Sequence, residues 1–244
     1  MREINKLVHL VTGKLNSSFG VIDLSGKVKN PGKEQQLYNG VLNGEYHNDE
    51  VTAAGMYQSN VYDQRFRMLK SRLRYKLYDL LYYLDFETPD FSFTVQKKME
   101  CLANLHKAHI LFELGELDMA EKQYNKVIVL AGEYQFTEEL INALELKRKV
   151  LSKEHKPTDF EQTVGKLQNC RSILQKEKEA EDLFLRMELL LGKSIHSRNV
   201  SLEANHEAIS KLQSLYEETN SYNIFEQLHN LRIWSLMLAG SNEE

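Results

Sequence analysis

Residues that interrupt helices are scarce in this sequence. Only three prolines occur, at Pro31, Pro89 and Pro157, against 36 leucines and 26 glutamates. Leucine and glutamate favour helices, whereas proline ends or kinks them. This composition argues against a β-sandwich or a β-barrel. Seven of the twelve glycines lie at or before Gly55. The sequence therefore predicts an all-α protein whose irregular part lies near the N-terminus.

Cysteines and long apolar runs are equally scarce. Cys101 and Cys170 are the only cysteines, which is too few for a disulfide framework and indicates a reducing compartment, with a single bridge left open. No segment approaches the roughly 18 apolar residues of a membrane span. The apolar run LVHLV near the start is too short for the core of a signal peptide. These absences predict a soluble, cytoplasmic protein with no membrane partner.

Charge divides the chain into two parts. Residues 1–84 contain 12 Lys and Arg against 8 Asp and Glu, whereas residues 85–244 contain 19 against 27. Such asymmetry suggests that the two parts meet different partners. We predict a basic, irregular helical module over residues 1–88 and an acidic array of helical hairpins over residues 89–244.

Four helices are predicted in the N-terminal module. They cover residues 3–15, 33–42, a short segment beginning near Asp49 with Asn48 or Asp49 as its N-cap, and 62–84. The last of these has the strongest pattern, because apolar residues recur at three- and four-residue steps and form one stripe along a helix. The residues of this stripe are Phe66, Leu69, Leu73, Leu77, Leu80, Leu81 and Leu84.

Helices and short breaks alternate after Pro89. The predicted helices are 94–114, 118–132, 137–155, 159–177, 179–197, 201–219 and 222–238, and Thr137 and Ser221 are predicted N-caps. Helices of this length joined by links of two to five residues pack as antiparallel hairpins. The expected architecture is an α-solenoid or a bundle.

One hairpin carries a specific spacing of small and large residues. The segment 101–132 reads CLANLHKAHILFELGELDMAEKQYNKVIVLAG. The residues that form the spacing are Ala108, Leu111, Gly115, Ala120, Tyr124 and Val127. This segment resembles one tetratricopeptide repeat, and no second copy of comparable quality occurs one repeat further on, around Asn142–Leu146. The resemblance implies a tetratricopeptide-like array that binds a protein or peptide, and it implies no catalytic chemistry.

The sequence offers little catalytic chemistry. It contains no GxGxxG, GxSxG or HExxH motif. His106, His109 and Glu113 share a helix face, but without a second ligand cluster we predict no metal site. Cys101 lies five residues from His106 without an identifiable third group to orient it for thiol catalysis. We therefore predict no catalytic residue, no cofactor and no enzyme activity.

The carboxylates of the array are densest around residue 180. Glu177, Glu179, Glu181 and Asp182 alternate with Lys176, Lys178 and Arg186. Opposite charges at helical spacing are typical of a solvated helix face. We predict such a face here rather than a pair of acid and base groups.

A basic stretch in the 62–84 helix is the feature most suggestive of a binding site. It consists of Arg65, Arg67, Lys70, Arg72, Arg74 and Lys76. Tyr62, Tyr75 and Tyr78 interleave with these cations, and cations beside aromatic rings suit phosphate contact and base stacking. Alternatively, the cations stay in water above their buried stems, pair with the acidic C-terminal array, or meet an acidic protein.

The order of a short helix, a turn and a longer basic helix also resembles a helix-turn-helix. The segment FRMLKSRLRYKL is similar to the recognition helix of winged-helix bacterial regulators. That resemblance implies contact with nucleic acid.

The C-terminal helix ends in a dense apolar group that includes Ile233, Trp234, Leu236, Met237 and Leu238. Either it packs on its neighbour with Trp234 as an anchor, or it contacts another subunit or a further part of the chain. The sequence thus predicts a non-enzymatic scaffold that binds a protein or peptide, with a nucleic-acid-binding regulator as the alternative.

Overall fold

Every regular element that the structure describes is helical. The computed structural model describes residues 1–12, 31–193 and 198–240, and no strand occurs within these ranges. The predicted all-α class is confirmed. Residues 13–15, the predicted end of the first helix, lie outside the described residues.

The chain forms two compact units, Met1–Ser92 (unit 1) and Phe93–Glu244 (unit 2). The boundary predicted after residue 88 lies four residues before the end of unit 1. The helices of unit 1 are α1 (Arg2–Thr12), α2 (Lys33–Leu42), α3 (Asp49–Tyr57) and α4 (Gln64–Leu80), followed by a 3₁₀ turn (Leu81–Tyr83).

The apolar stripe of α4 is the centre of unit 1. Phe66, Leu69, Leu73, Leu77 and Leu80 are all buried, and α4 packs against α1, α2 and α3. Residues of the other helices complete the core, among them Ile4, Val8, Val11, Leu37, Tyr38 and Met56. The periodic sequence pattern thus predicts the central helix of this unit correctly.

Unit 2 contains six described helices that follow one another along the chain. They are α5 (Phe93–Glu113), α6 (Leu117–Glu133), α7 (Thr137–Lys153), α8 (Pro157–Lys193), α9 (Arg198–Thr219) and α10 (Tyr222–Gly240). Each packs against the next, and α5 also contacts α7 while α8 contacts α10. Links of three residues join α5 to α6, α6 to α7 and α7 to α8.

The prediction of a helix break near residue 178 is wrong. Helices were expected at 159–177 and 179–197, but α8 is continuous from Pro157 to Lys193. No glycine or proline occurs between Gly165 and Gly192, and alternating Lys and Glu favour a continuing helix. The first half of α8 packs through Leu167 on α7, and its second half packs through Ala180 and Met187 on α9 and α10.

Three successive turns of unit 2 have the same geometry. Gly115, Gln135 and His155 each adopt a left-handed conformation, with φ of 82°, 54° and 55°. The amide of the residue after each turn donates to a carbonyl five residues earlier, at 2.9, 2.9 and 3.0 Å, which is the bonding of a Schellman motif. The three turns lie 20 residues apart, at 115, 135 and 155. A tetratricopeptide repeat fits two helices and their turns into roughly 34 residues, so each helix with its turn is longer here than in that repeat.

The two non-glycine turns lead to a prediction about stability. A side chain in the left-handed region costs roughly 1 kcal/mol, a cost that glycine avoids. His155 is exposed, so we expect His155→Gly to raise the free energy of unfolding of unit 2 by about 0.5–1 kcal/mol. Urea unfolding followed by the fluorescence of Trp234, the single tryptophan, measures this. Gly115→Ala is the matched reverse change and should lower stability; equal effects of the two variants would contradict the argument.

Candidate functional site

A cleft of about 420 Å³ opens in unit 2. The start of α7, the middle of α8 and the first half of α10 form its walls, and Lys98 of α5 reaches its edge. Six of its side chains are charged, and they are Lys98, Lys178, Glu138, Glu177, Glu181 and Glu226. A cleft of this volume lies in the range of ligand pockets.

Glu177 is the buried acid of this cleft. It is only 7% exposed, so the prediction that it belongs to a solvated face is wrong. Its Oε1 atom accepts hydrogen bonds from the Thr137 hydroxyl and the Asn223 amide, each at 3.0 Å, and from the Ser221 hydroxyl at 2.5 Å. Thr137 begins α7, and Ser221 and Asn223 flank the start of α10. Two positive helix ends and three neutral donors therefore stabilise the carboxylate.

The N-cap predicted at Thr137 is wrong, because α7 has Phe136 at its N-cap and no side-chain capping bond. Ser221 directly precedes α10, at the position predicted for its N-cap. The Thr137 and Ser221 hydroxyls both donate to Glu177. Thr137 and Ser221 thereby link α7 and α10 to α8 through one carboxylate.

The two lysines of the cleft are held by carboxylates. Lys98 forms an ion pair of 2.6 Å with Glu139, which is 5% exposed, and its ammonium lies 4.9 Å from the centre of the Phe136 ring. Lys178 bridges Glu138 at 2.8 Å and Glu181 at 3.0 Å. The hydrogen bond to Glu138 raises the pKa of Lys178, and the same bond lowers the pKa of Glu138.

The rest of the lining combines apolar and amide side chains. Phe136, Leu174, Phe184 and Leu185 supply apolar surface, and Asn223, Gln227 and Asn230 supply amides. The Oε1 atom of Gln227 is buried and has no hydrogen-bond partner among the described residues. Buried acceptors without a partner are rare in folded proteins.

The residues of the tetratricopeptide-like spacing meet between α5 and α6. Ala108, Ala120, Tyr124 and Val127 are fully buried, Leu111 is half-buried, and Gly115 forms the turn. These six residues are part of the packing of the hairpin. None of them lines the cleft described above.

Four members of the basic stretch pair with acids of unit 1. Lys70 binds Asp49 at the start of α3 at 2.7 Å, and Lys76 binds Glu34 of α2. Arg74 lies 3.7 Å from Glu3 of α1. These ion pairs link α4 to each of the three helices packed against it.

Arg65 makes the fourth pair, with Asp63 at 2.7 Å, and its guanidinium lies 5.0 Å from the centre of the Tyr57 ring. The hydrogen bond from Arg65 holds the pKa of Asp63 below its usual range. Arg67 and Arg72 are exposed and have no ion pair within the part of the chain that the structure describes. The charge that the stretch presents to a partner is thus smaller than the sequence suggests.

The other titratable candidates do not form a reactive centre. Burial raises the pKa of the Cys101 thiol to about 11 and also raises that of Cys170, which disfavours the thiolate that a nucleophile needs. His106 and His109 are exposed. Across residues 1–12, 31–193 and 198–240, no three potential metal ligands come together.

The end of α10 is partly packed and partly exposed. Trp234 stacks on Phe184 of α8, with ring centres 5.1 Å apart, so it anchors α10 within unit 2. Leu236 and Met237 are 73% and 66% exposed. An interface with a second copy at these two residues stays a prediction.

Sequence reasoning missed Lys98, Glu139, Gln227 and the role of Glu177. For Glu177 a signal was available. It lies on the same helix face as Leu174 and Ala180, in the middle of an apolar stripe of α8. For Lys98 and Gln227 no local pattern separates them from ordinary surface residues.

Comparison with known proteins gives no relative: no protein-family model, no curated protein and no solved structure matches this chain. Within the described ranges, no helix combines the length and the apolar character that crossing a bilayer requires.

Proposed function

We propose that the chain is a non-enzymatic binding protein that holds a peptide, or an extended segment of a partner protein, in the cleft of unit 2. The observation that carries the proposal is the cleft itself, with apolar walls and several hydrogen-bonding groups directed into one space. Ligand pockets use this combination, because apolar contacts supply affinity and a few polar groups fix orientation. The tetratricopeptide-like character of the hairpins belongs to the same proposal.

The chemistry of the lining supports binding over catalysis. A general base needs a pKa near the working pH, but the cleft contains no histidine or thiol among its described residues. Its lysines are engaged in ion pairs, and the hydroxyls of Thr137 and Ser221 donate to Glu177 with no imidazole beside them. The unpaired cysteines are consistent with the reducing, cytoplasmic location predicted from the sequence.

Selection from a phage-displayed library of random peptides tests the proposal. Asn230 lines the cleft, and Asn230→Trp fills it without changing its charge. We expect selected peptides to bind this variant at least about tenfold more weakly than the wild type, a loss typical of a blocked pocket. The measurement is isothermal titration calorimetry on the whole chain.

Gln168→Trp is the matched control, because Gln168 is exposed on α8 and lies outside the cleft. Peptides should bind this variant and the wild type equally well. Failure to select any peptide, or equal binding to Asn230→Trp and wild type, would sink the proposal.

A nucleic-acid-binding regulator is the second candidate. The exposed Arg67 and Arg72 favour it, together with the exposed Met68 and Tyr75 on the same helix. Against it, α3 and α4 are separated by six residues, more than the three or four of a DNA-binding turn. Fluorescence anisotropy of a labelled oligonucleotide, with Arg67→Glu/Arg72→Glu as the comparison, decides this candidate; salt-sensitive binding that the variant loses would favour it over the peptide proposal.

A further inference from the structure

We propose that the cleft recognises the protonated side chain of a lysine or arginine in the bound peptide. This inference rests on the proposed function and specifies which peptides the cleft accepts. Its basis is the combination of surplus negative charge, an unpartnered buried acceptor and apolar walls in a single cavity.

The charge balance of the cleft is the first step. Its side chains carry two positive and four negative formal charges. Lys178 is shared between Glu138 and Glu181, and Lys98 is paired with Glu139, an acid outside the lining. Glu177 and Glu226 therefore have no cation among the described residues. The cleft favours a positive ligand and repels a negative one.

The position of Glu177 is the second step. All three of its described hydrogen bonds reach one oxygen, Oε1, from donors at the starts of α7 and α10. The carboxylate is therefore fixed in place before a ligand arrives, and Oε2 receives none of these bonds. Preorganised charge of this kind strengthens a contact, because little ordering is left to be done on binding.

The need for a donor is the third step. The Oε1 atom of Gln227 is buried without a partner, and Glu226 and Asn230 lie next to it on α10. An ammonium or guanidinium offers several N–H donors at once. A basic side chain in the cleft would meet carboxylates that lack a cation and would offer donors to Gln227, whereas an apolar or acidic side chain would do neither.

The apolar walls complete the match. Leu174, Phe184 and Leu185 line the same cavity. Lysine and arginine carry three or four methylene groups below their charge, and such stems pack on apolar surface while the head reaches polar groups. The ligand class is therefore long, aliphatic and cationic at its end.

Four short peptides test the inference. They are acetylated at the N-terminus, amidated at the C-terminus, and identical except for a central lysine, arginine, norleucine or glutamate. Calorimetry at physiological ionic strength should show the lysine and arginine peptides binding at least about tenfold more tightly than the norleucine peptide, which has the stem without the charge. Equal or tighter binding of the norleucine or glutamate peptide, or no binding of the two basic peptides, would overturn the inference.

Cleft variants locate the contact. Glu226 is exposed and unpaired in the described part of the chain, so Glu226→Gln should leave folding unchanged and weaken the lysine peptide about three- to tenfold. Glu177→Gln keeps an Oε1 acceptor for its three donors and should weaken the same peptide about tenfold. Glu188→Gln removes one charge from α8 outside the cleft and should have no effect; a loss equal to that of Glu226→Gln would contradict the assignment.

The library selection separates failure of this inference from failure of the proposed function. If selected peptides are sensitive to Asn230→Trp but lack basic residues, peptide binding stands and the inference is wrong. If they are insensitive to Asn230→Trp, the proposed function is wrong as well. Enrichment of lysine or arginine among peptides that Asn230→Trp excludes supports both.

Discussion

Replacement of Glu177 by alanine should lower the free energy of unfolding of unit 2 by about 2–4 kcal/mol. The carboxylate is the common acceptor of Thr137, Ser221 and Asn223, and each donor left unpaired in a buried position costs about 1–3 kcal/mol. Water that enters from the neighbouring cleft accepts hydrogen bonds from some of these donors. The total cost therefore stays below the sum of three separate losses. Urea unfolding followed by Trp234 fluorescence reports the change, because Trp234 stacks on Phe184 of α8.

Two controls isolate the shared acceptor. Glu177→Gln retains one carbonyl oxygen for the three donors and should cost about 1 kcal/mol. Glu188→Ala changes an exposed glutamate of the same helix and should stay within about 0.5 kcal/mol of the wild type. A Glu177→Ala effect no larger than that of Glu188→Ala would show that the buried hydrogen bonds do not hold α7 and α10 against α8.

Local sequence patterns predicted the parts of the fold that depend on local interactions. Apolar periodicity identified α4, and Asn48 is the N-cap of α3, where its side chain accepts from the Val51 amide at 2.8 Å. Both features depend on residues within a few positions of one another. The continuity of α8 depends on local information as well, since no glycine or proline occurs between Gly165 and Gly192.

The cleft depends on partners that are distant in sequence. Glu177 meets Thr137, 40 residues away, and Ser221, 44 residues away. Lys98 meets Glu139 across 41 residues. A single sequence does not indicate which glutamate of a charged helix is buried, because burial depends on how the helices pack. The sequence shows that α8 is rich in acids, but it does not show that Glu177 is the buried one.

The basic stretch of α4 shows the same limit. Its six cations were evident from the sequence, but the acids that pair with four of them were not. Lys70 finds Asp49 at a separation of 21 residues, and Lys76 finds Glu34 at 42. Counting charges over a helix therefore overestimates the field that it presents, because packing brings acids of other helices beside it.

Gly40→Ala should destabilise unit 1 by about 2 kcal/mol. A β-carbon at Gly40 would overlap the Tyr46 ring, and one at Gly55 would lie 2.9 Å from the same ring. The backbone that carries the ring is held, because the amides of Glu45 and Tyr46 both donate to the Gly40 carbonyl, at 2.8 and 3.1 Å, and Gly55 lies against the opposite edge of the ring. Overpacking of this kind costs about 1–3 kcal/mol, and the better helix propensity of alanine offsets only part of it.

Amide hydrogen exchange along α4 measures this loss of stability, since α4 is the central helix of unit 1.

A double-mutant cycle gives the sharpest test. In a Tyr46→Ala background the added methyl group meets no ring, so Gly40→Ala should lower the stability of unit 1 much less there. Gly165→Ala is the matched change where no atom lies within 4 Å of the new carbon, and it should stabilise α8 by up to about 1 kcal/mol. Equal costs of Gly40→Ala with and without the Tyr46 ring would mean that the ring does not account for glycine at this position. A smaller cost without the ring would show that Gly40 and Gly55 provide the space in which one aromatic side chain joins α2 to α3.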